Sequence, residues 1–178
     1  HLSDRRQRQM CIRDSYNVFQ NSHSDKPLIY KISGTWGNHE GSMLLWLSIL
    51  SICSFFFSFT KKIEESFQRL TLIIQSFLHI LFGLFIVFTS NPFLVNSILV
   101  KEGLGLNPIL QDPGLAIHPP ILYAGYVGYS IVFSIAIAGL FQNTDNEWLF
   151  VAKKWSLISW TFLTGGISLG SYWAYYEL

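Results

Sequence analysis

Four apolar runs of similar length limit what this chain can fold into. They cover about Met43 to Thr60, Leu70 to Thr89, Ile121 to Phe141 and Trp155 to Tyr176. Each is close to the roughly 20 residues with which an α-helix crosses the hydrocarbon core of a bilayer. Helices satisfy their backbone amides internally, and the runs are too long for the strands of a membrane barrel. The sequence therefore predicts an all-α, polytopic membrane protein with four transmembrane helices.

The composition agrees with a membrane protein once one atypical segment is set aside. Half of the residues are apolar and only 13% are charged, a balance too apolar for an ordinary soluble domain. Residues 1–15 differ, because they hold four arginines without apolar periodicity. The run Arg-Gln-Arg-Gln-Met-Cys-Ile-Arg-Asp-Ser that ends at Ser15 resembles translated sequencing-adapter sequence. We expect this segment to be a disordered artefact and exclude it from the interpretation.

This exclusion changes the charge balance. The whole chain has 12 Lys and Arg against 11 Asp and Glu. Residues 1–15 hold four of these arginines and two of the aspartates, so the rest of the chain has eight Lys and Arg against nine Asp and Glu. No basic patch of the kind that binds nucleic acid is left. Cys53 lies inside the first apolar run, where a free thiol is usually a packing residue, so neither a disulfide framework nor a cysteine-based metal site is predicted.

The connections between the apolar runs predict an orientation in the membrane. Lys61 to Arg69 and Gln142 to Lys154 are short and polar, whereas residues 90–120 form a long, proline-rich loop. Without the excluded segment, the short-loop side has five Lys and Arg and the other side three. The positive-inside rule then puts the short loops in the cytoplasm and residues 16–42 and 90–120 in the periplasm. Counting the excluded arginines would reverse this orientation.

His118 is the most informative residue of the long loop. It stands in the run Asn107-Pro-Ile-Leu-Gln-Asp-Pro-Gly-Leu-Ala-Ile-His-Pro-Pro-Ile-Leu-Tyr123. Pro119 and Pro120 are expected to keep it in extended backbone and to start the third apolar helix. The positive end of that helix would favour a neutral imidazole that binds a metal, and it would suit the carboxylates of a ligand such as haem. Alternatively, His118 only caps the helix or hydrogen-bonds a carbonyl group.

Small and aromatic residues mark further positions on the last two apolar runs. Gly166 and Gly170 form a small-xxx-small pair, and Gly125 and Gly128 lie on the third run, so these faces are predicted to touch other helices. Tryptophans and tyrosines also form a belt at each predicted membrane interface, which would serve as interfacial anchoring or as a platform for a flat aromatic ligand. The inner interface is marked by Trp148 and Trp155, and the richer outer one by Trp36, Tyr123, Tyr172, Trp173, Tyr175 and Tyr176.

Four motifs are more specific than composition. They are Thr35-Trp-Gly-Asn-His-Glu-Gly-Ser-Met-Leu-Leu-Trp46, Phe88-Thr-Ser-Asn-Pro-Phe93, His118-Pro-Pro-Ile-Leu-Tyr-Ala-Gly-Tyr-Val-Gly128 with Leu110-Gln-Asp-Pro113 before it, and Gly170-Ser-Tyr-Trp-Ala-Tyr-Tyr-Glu-Leu178. Together they closely resemble the CcmF family, the haem lyase subunits of the multi-component cytochrome c maturation system. The motifs follow the family's order, and the resemblance covers residues 27–178.

This resemblance implies a cofactor, a reaction and partners. His118 matches the first of the family's two periplasmic haem-ligating histidines, and Pro119, Pro120, Tyr123 and Trp173 are expected around that haem. A b-type haem would be held non-covalently and then attached to the Cys-x-x-Cys-His motif of an apocytochrome c, in the bacterial inner membrane. The implied partners are the haem chaperone CcmE, CcmH, apocytochrome c and, for the full-length protein, quinol.

The resemblance also implies that the chain is a fragment. In the family, a tryptophan-rich stretch follows the motif that ends here at Leu178. The second periplasmic histidine and a pair of transmembrane histidines that hold a structural b-type haem lie further downstream. We therefore expect this fragment alone to be inactive.

Four other polar residues lie near the start of the first helix or within the second apolar run. His39 and Glu40 stand at the entrance of the first helix, where either a structural role or a contact with haem or a partner fits the motif. Ser42 is predicted to cap that helix. His79 lies in the middle of the second apolar run, where a hydrogen bond to a neighbouring helix is expected.

Other functions also stay open at this point. A haem lyase paralogue dedicated to a nitrite reductase shares these motifs. A transporter or redox-pump subunit would have charged residues facing inward at mid-membrane, and the apolar runs have none apart from His79. A structural assembly subunit without haem is the third alternative.

Overall fold

The computed structural model describes residues 14–61, 63–97, 102–142 and 147–177. Within these ranges, extended pairing is limited to one isolated bridge between Ser15 and Val95, and the predicted all-α fold is confirmed. Most of the excluded segment 1–15 lies outside the described residues. The helices are α1 (Tyr16–Asn21), α2 (Leu28–Ser33), α3 (His39–Ser58), α4 (Glu65–Thr89), α5 (Pro113–Phe141) and α6 (Glu147–Glu177), with 3-10 turns at Gly34–Trp36 and Pro108–Leu110.

Three of the described helices are long and apolar enough to cross a membrane. They are His39–Ser58, Glu65–Thr89 and Ala116–Phe141, and they contain most of the first three predicted runs. The fourth predicted run lies in α6, which has 31 residues. Serines, threonines and glycines interrupt the apolar sequence of α6, and it is not among the three.

Helix α5 begins earlier than predicted, at Pro113. Asp112 caps it, since its Oδ1 accepts a hydrogen bond from the backbone nitrogen of Gly114 at 2.6 Å. Proline suits the first helical position, where no backbone N–H is needed. The predicted loop 90–120 therefore ends at Asp112.

The prediction of extended backbone at His118 is wrong, because His118, Pro119 and Pro120 all lie inside α5. A proline removes the hydrogen bond to the carbonyl four residues earlier. Here the affected carbonyls belong to Leu115 and Ala116, in the first turn of the helix. The helix continues through both prolines to Phe141.

Contacts divide the chain into two units. One contains the described residues through Leu45 together with Phe85–Ile117, and the other contains Trp46–Leu84 and His118–Tyr176. The second unit has an apolar core in which Cys53 is a free, buried thiol, as predicted for a packing residue. The buried members of this core are Cys53, Phe57, Phe67, Ile131, Ile135, Ala138 and Val151, with Trp148 and Trp155 packed against them.

Helices α5 and α6 approach closely through their glycines. A Cβ added to Gly125 would lie 2.5 Å from the Cα of Leu163, and one added to Gly166 would lie 2.7 Å from the Cα of Leu122. Both distances are shorter than any ordinary carbon contact, so a larger residue at either position would push the helices apart. The predicted helix-contact role of these glycines is confirmed.

In the first unit, Glu102 links the loop after α4 to the segment between α1 and α2. Its carboxylate accepts hydrogen bonds from the Ser24 backbone at 3.1 Å, the Ser24 hydroxyl at 2.8 Å and the Gly103 backbone at 3.3 Å. Partial burial acts to raise the pKa of Glu102, but these hydrogen bonds and the nearby His23 outweigh it and leave the pKa below its ordinary value. The carboxylate is therefore a pH-sensitive contact of this loop.

A second contact holds the same loop. The Lys26 ammonium group donates to the carbonyl of Leu106 at 2.9 Å, and partial burial lowers the pKa of Lys26. Gly105 has φ 84°, a left-handed conformation that glycine adopts without strain. The turn at Gly105 brings the Leu106 carbonyl to the lysine.

Candidate functional site around His118

The His118 imidazole lies against α6 in the second unit. Its Nδ1 is 2.8 Å from the carbonyl oxygen of Gly166. One turn further along α6, a Cβ added to Gly170 would lie 2.5 Å from the ring's Cε1 and 3.0 Å from each ring nitrogen. A larger residue at position 170 would displace the ring. We call this arrangement of His118, Gly166 and Gly170 the His118 cradle.

The sequence predicted that the positive end of the helix dipole keeps the His118 imidazole neutral, and the structure does not support this. Because α5 begins at Pro113, His118 lies in its second turn, and the helix dipole acts mainly within the first turn. The ring does not cap the helix. It hydrogen-bonds a carbonyl, as one of the alternatives predicted, but this bond occupies Nδ1 alone. Within the described residues, no hydrogen bond involves Nε2.

Trp173 lies on the same face of α6 as the cradle glycines. Gly166, Gly170 and Trp173 follow the i, i+4, i+7 spacing that puts residues on one side of a helix. The indole Nε1 of Trp173 is buried and has no hydrogen-bond partner among the described residues. A buried donor without a partner costs about 1–3 kcal/mol, so a ligand with an acceptor group would be stabilised there.

The other residues predicted around the site are arranged differently. Pro119 and Pro120 follow His118 directly and are half-buried. Tyr123 is half-buried too, but at 3.6 residues per turn it lies about 140° around α5 from His118. The structure therefore puts Tyr123 and His118 on different faces of α5.

His39 and Glu40 belong to the first unit. His39 is exposed, and its Nδ1 shares a 3.0 Å hydrogen bond with the hydroxyl of the buried Ser90. This bond joins the start of α3 to the residue after α4. Glu40 is half-buried in the first turn of α3, where a carboxylate interacts favourably with the helix dipole.

The residue that caps α3 is Asn38, and the prediction for Ser42 is wrong. The Oδ1 of Asn38 accepts a hydrogen bond from the Gly41 backbone at 3.0 Å. Helix α3 begins at His39, so Ser42 is already inside it, and its hydroxyl donates to the Trp36 carbonyl at 2.9 Å. Asparagine accepts such a bond as well as serine does.

His79 also differs from its prediction. Its Nδ1 lies 2.8 Å from the carbonyl oxygen of Gln75, one turn earlier in the same helix. The expected partner was a neighbouring helix. The hydrogen bond that the structure gives this ring therefore stays within α4.

Among the residues that the structure describes, no group of three or more His, Cys, Asp and Glu side chains is arranged to hold a metal ion. His118 is therefore considered as a single protein ligand. The contacts of Gly166 and Gly170 with the His118 ring were not predicted from the sequence. Their spacing was visible, but it indicated helix packing in general and not an imidazole as the neighbour.

Comparison with known proteins gives a family match and several relatives. The family described as Cytochrome C assembly protein matches residues 36–178. The chain is 54% identical over 164 residues to the cytochrome c-type biogenesis protein CycK of Bradyrhizobium diazoefficiens, covering 91% of this chain and 25% of the relative. It is 46% identical to CcmF of Escherichia coli (90% and 25%) and 43% identical to NrfE of Haemophilus influenzae (90% and 26%). The chain thus spans about a quarter of the length of these relatives. No solved structure matches it.

Proposed function

The chain belongs to the cytochrome c assembly protein family, and from this we propose that it is part of a membrane haem lyase. The full-length protein would hold a b-type haem non-covalently, and His118 would be a ligand of the iron. It would then promote covalent attachment of that haem to the Cys-x-x-Cys-His motif of an apocytochrome c. The relatives are named as cytochrome c-type biogenesis proteins, which supports this assignment.

The residues around His118 fit a haem ligand. Imidazole is a common axial ligand of haem iron. The ring is held by Gly166 and Gly170, and Nε2 has no competing hydrogen bond among the described residues. The Trp173 indole provides a buried donor without a partner on the same side of α6, and the propionates of haem are acceptors.

The protein's own residues would bind and orient the cofactor. When bound, haem would supply two vinyl groups as the acceptors for the cysteine thiols of the apocytochrome. His118 would bind the iron, and the packing of α6 against α5 limits the motion of the imidazole. Trp173 would donate a hydrogen bond to the cofactor and so help to orient it.

The membrane arrangement completes this proposal. In it, α6 is the fourth transmembrane helix, because its 31 residues exceed the length that a bilayer requires. The positive-inside count then puts His118, the loop after α4 and the segment before α3 on the periplasmic side of the bacterial inner membrane. CcmE would deliver haem there, CcmH would present the apocytochrome c, and quinol would supply reducing equivalents.

The single observation that carries the proposal is the imidazole of His118 held in its cradle. We would replace His118 with Ala in the full-length protein and measure the haem absorbance of the purified protein and the amount of matured c-type cytochromes. Both should fall strongly. His79→Ala is the matched control, since His79 bonds only its own helix in the described structure, and it should leave both readings near the wild-type values. Undiminished haem and cytochromes in His118→Ala would refute the assignment.

A haem lyase dedicated to a nitrite reductase is the second candidate. The identity to NrfE, 43%, is close to the 46% identity to CcmF, so similarity alone does not separate them. Expression of the full-length protein in strains that lack one or the other lyase would show which cytochromes it matures. Rescue of general c-type cytochromes would support the first function, and rescue of the nitrite reductase alone would support the second.

A further inference from the structure

The hydrogen bond between His118 and Gly166 has a definite direction. A backbone carbonyl carries no proton and only accepts hydrogen bonds. The hydrogen in the 2.8 Å contact with Gly166 must therefore be bonded to Nδ1 of His118. A neutral imidazole has one N–H, and the other nitrogen then has the free lone pair.

We infer that the Gly166 carbonyl fixes the tautomer of His118 and thereby makes Nε2 the atom that binds iron. Gly166 and Gly170 are positioning residues in this arrangement, since neither touches the iron. The inference rests on the proposed function, because it concerns how the same histidine would bind haem. It adds which ring nitrogen binds and which backbone groups of α6 determine this.

Gly170 has the steric part of this role. A Cβ at position 170 would come within 2.5 Å of Cε1 and 3.0 Å of both nitrogens. The ring would have to move away from α6, and the hydrogen bond to Gly166 would lengthen. Gly165 is a useful contrast on the same helix, because a Cβ there would meet nothing within 4 Å.

The Gly166 carbonyl also affects the chemistry of the ligand. An N–H group that donates to a carbonyl makes the other ring nitrogen more basic and holds the ring in one orientation. Loss of such an outer partner typically lowers metal affinity on the order of tenfold to a hundredfold. A more basic ligand stabilises ferric over ferrous iron, so the bond would also lower the reduction potential of a bound haem.

The test removes the His118 side chain and supplies an external ligand. In full-length His118→Gly protein, imidazole can bind iron through one nitrogen and donate the other N–H to Gly166. With 1-methylimidazole, a methyl group takes the place of that hydrogen. The affinity of each ligand for haem in detergent, without the protein, serves as the reference. Relative to that reference, imidazole should restore haem retention at a concentration about tenfold or more below that of 1-methylimidazole.

The outcomes separate this inference from the proposed function. Full haem retention by His118→Gly without any added ligand would overturn the function. Loss of haem followed by equal rescue with the two ligands would overturn the tautomer inference and leave the function standing. Preferential rescue by imidazole would support both.

A second measurement avoids external ligands. Gly170→Ala in the haem-loaded full-length protein should raise the reduction potential of the bound haem and lower haem retention, whereas Gly165→Ala should leave both unchanged. Thermal unfolding of both variants shows whether Gly170→Ala is folded. An unchanged potential in folded Gly170→Ala protein would contradict the positioning role.

Discussion

The side chains of Gln75 in α4 and Ser134 in α5 form a buried hydrogen bond, in which the serine hydroxyl donates to the amide Oε1 at 2.7 Å. The same amide donates through Nε2 to the hydroxyl of Ser130, also at 2.7 Å. One glutamine thus satisfies two serines on the facing helix. Between helices in a membrane, such bonds contribute about 0.6–2 kcal/mol each.

We predict that Gln75→Leu lowers the free energy of unfolding by about 1–2 kcal/mol. Leucine nearly keeps the volume, so the change isolates the two hydrogen bonds from the cost of a cavity. Ser76→Ala is the matched control, because the exposed Ser76 hydroxyl bonds only the Leu72 carbonyl of its own helix. Denaturant titration in detergent would measure both. If both substitutions changed the free energy of unfolding equally, the hydrogen bonds between α4 and α5 would stabilise the protein no more than the Ser76 hydroxyl does within its own helix.

The second prediction concerns Gly41, which follows the Asn38 cap of α3. A Cβ at this position would overlap the carbonyl oxygen of Thr35 and lie 3.0 Å from the Oδ1 of Asn38. The carbonyl belongs to the backbone and cannot rotate away, so Gly41→Ala should separate the 3-10 turn from α3. We expect a loss of more than about 3 kcal/mol or a failure to fold.

Gly83→Ala is the control for this substitution. Gly83 is also helical, but a Cβ there meets nothing within 4 Å. Alanine forms helices better than glycine by up to about 1 kcal/mol, so this variant should be as stable as the wild type or slightly more. Thermal unfolding and the yield of membrane-inserted protein would be compared. A Gly41→Ala protein that melts like Gly83→Ala would disprove the close contact with Thr35.

The helices were predictable from the sequence, and their starts were less so. An apolar run of membrane length specifies a helix almost regardless of detail, and α3, α4 and α5 contain most of their predicted runs. The start of α5 was predicted at Pro119 or Pro120 because proline favours the first turn of a helix. The prediction did not include the cap that Asp112 provides six residues before His118. The helix that starts at Pro113 continues through both prolines, although they leave the carbonyls of Leu115 and Ala116 without their usual helical donors.

The site was predictable only in part for a similar reason. His118 was identified from its motif, but its hydrogen bond to Gly166 spans 48 positions in sequence. That contact depends on the register of α5 against α6, and glycine spacing on one helix does not specify which side chain of the other fills the space. Ser130 and Ser134 are four residues apart, which puts them on one face of a helix. That spacing does not specify which residue of the facing helix they meet, so the glutamine bridge was not predicted.

The third prediction concerns pH. Because the pKa of folded Glu102 lies below its ordinary value of 4.5, its carboxylate stabilises the loop after α4 at a pH above that value. This contribution is lost as the pH falls through the lowered pKa. Hydrogen exchange of residues 22–31, corrected for intrinsic rates, should therefore become faster below about pH 4.5 than it is at pH 7.

Two variants test this assignment. Glu102→Gln cannot ionise, so exchange in the same segment should already be faster at pH 7 and should change little with pH. Asp25→Asn alters a carboxylate whose side chain is 91% exposed and should keep the wild-type pH dependence. If Asp25→Asn removed the dependence and Glu102→Gln kept it, the hydrogen bonds to Ser24 and Gly103 would not be its source.

The last prediction concerns the unpaired indole of Trp173. Its Nε1 is buried without a partner among the described residues, so Trp173→Phe should not destabilise the haem-free protein through any lost hydrogen bond. In the haem-loaded full-length protein, the same substitution should reduce haem retention, because the donor for a propionate is gone. Trp160→Phe is the control, since Trp160 lies on α6 with 58% of its surface exposed. Titration with haem, followed by absorbance, would compare the two variants. Equal haem affinity of Trp173→Phe and Trp160→Phe would exclude a hydrogen bond from Trp173 to the cofactor and would restrict the site to His118 and its cradle.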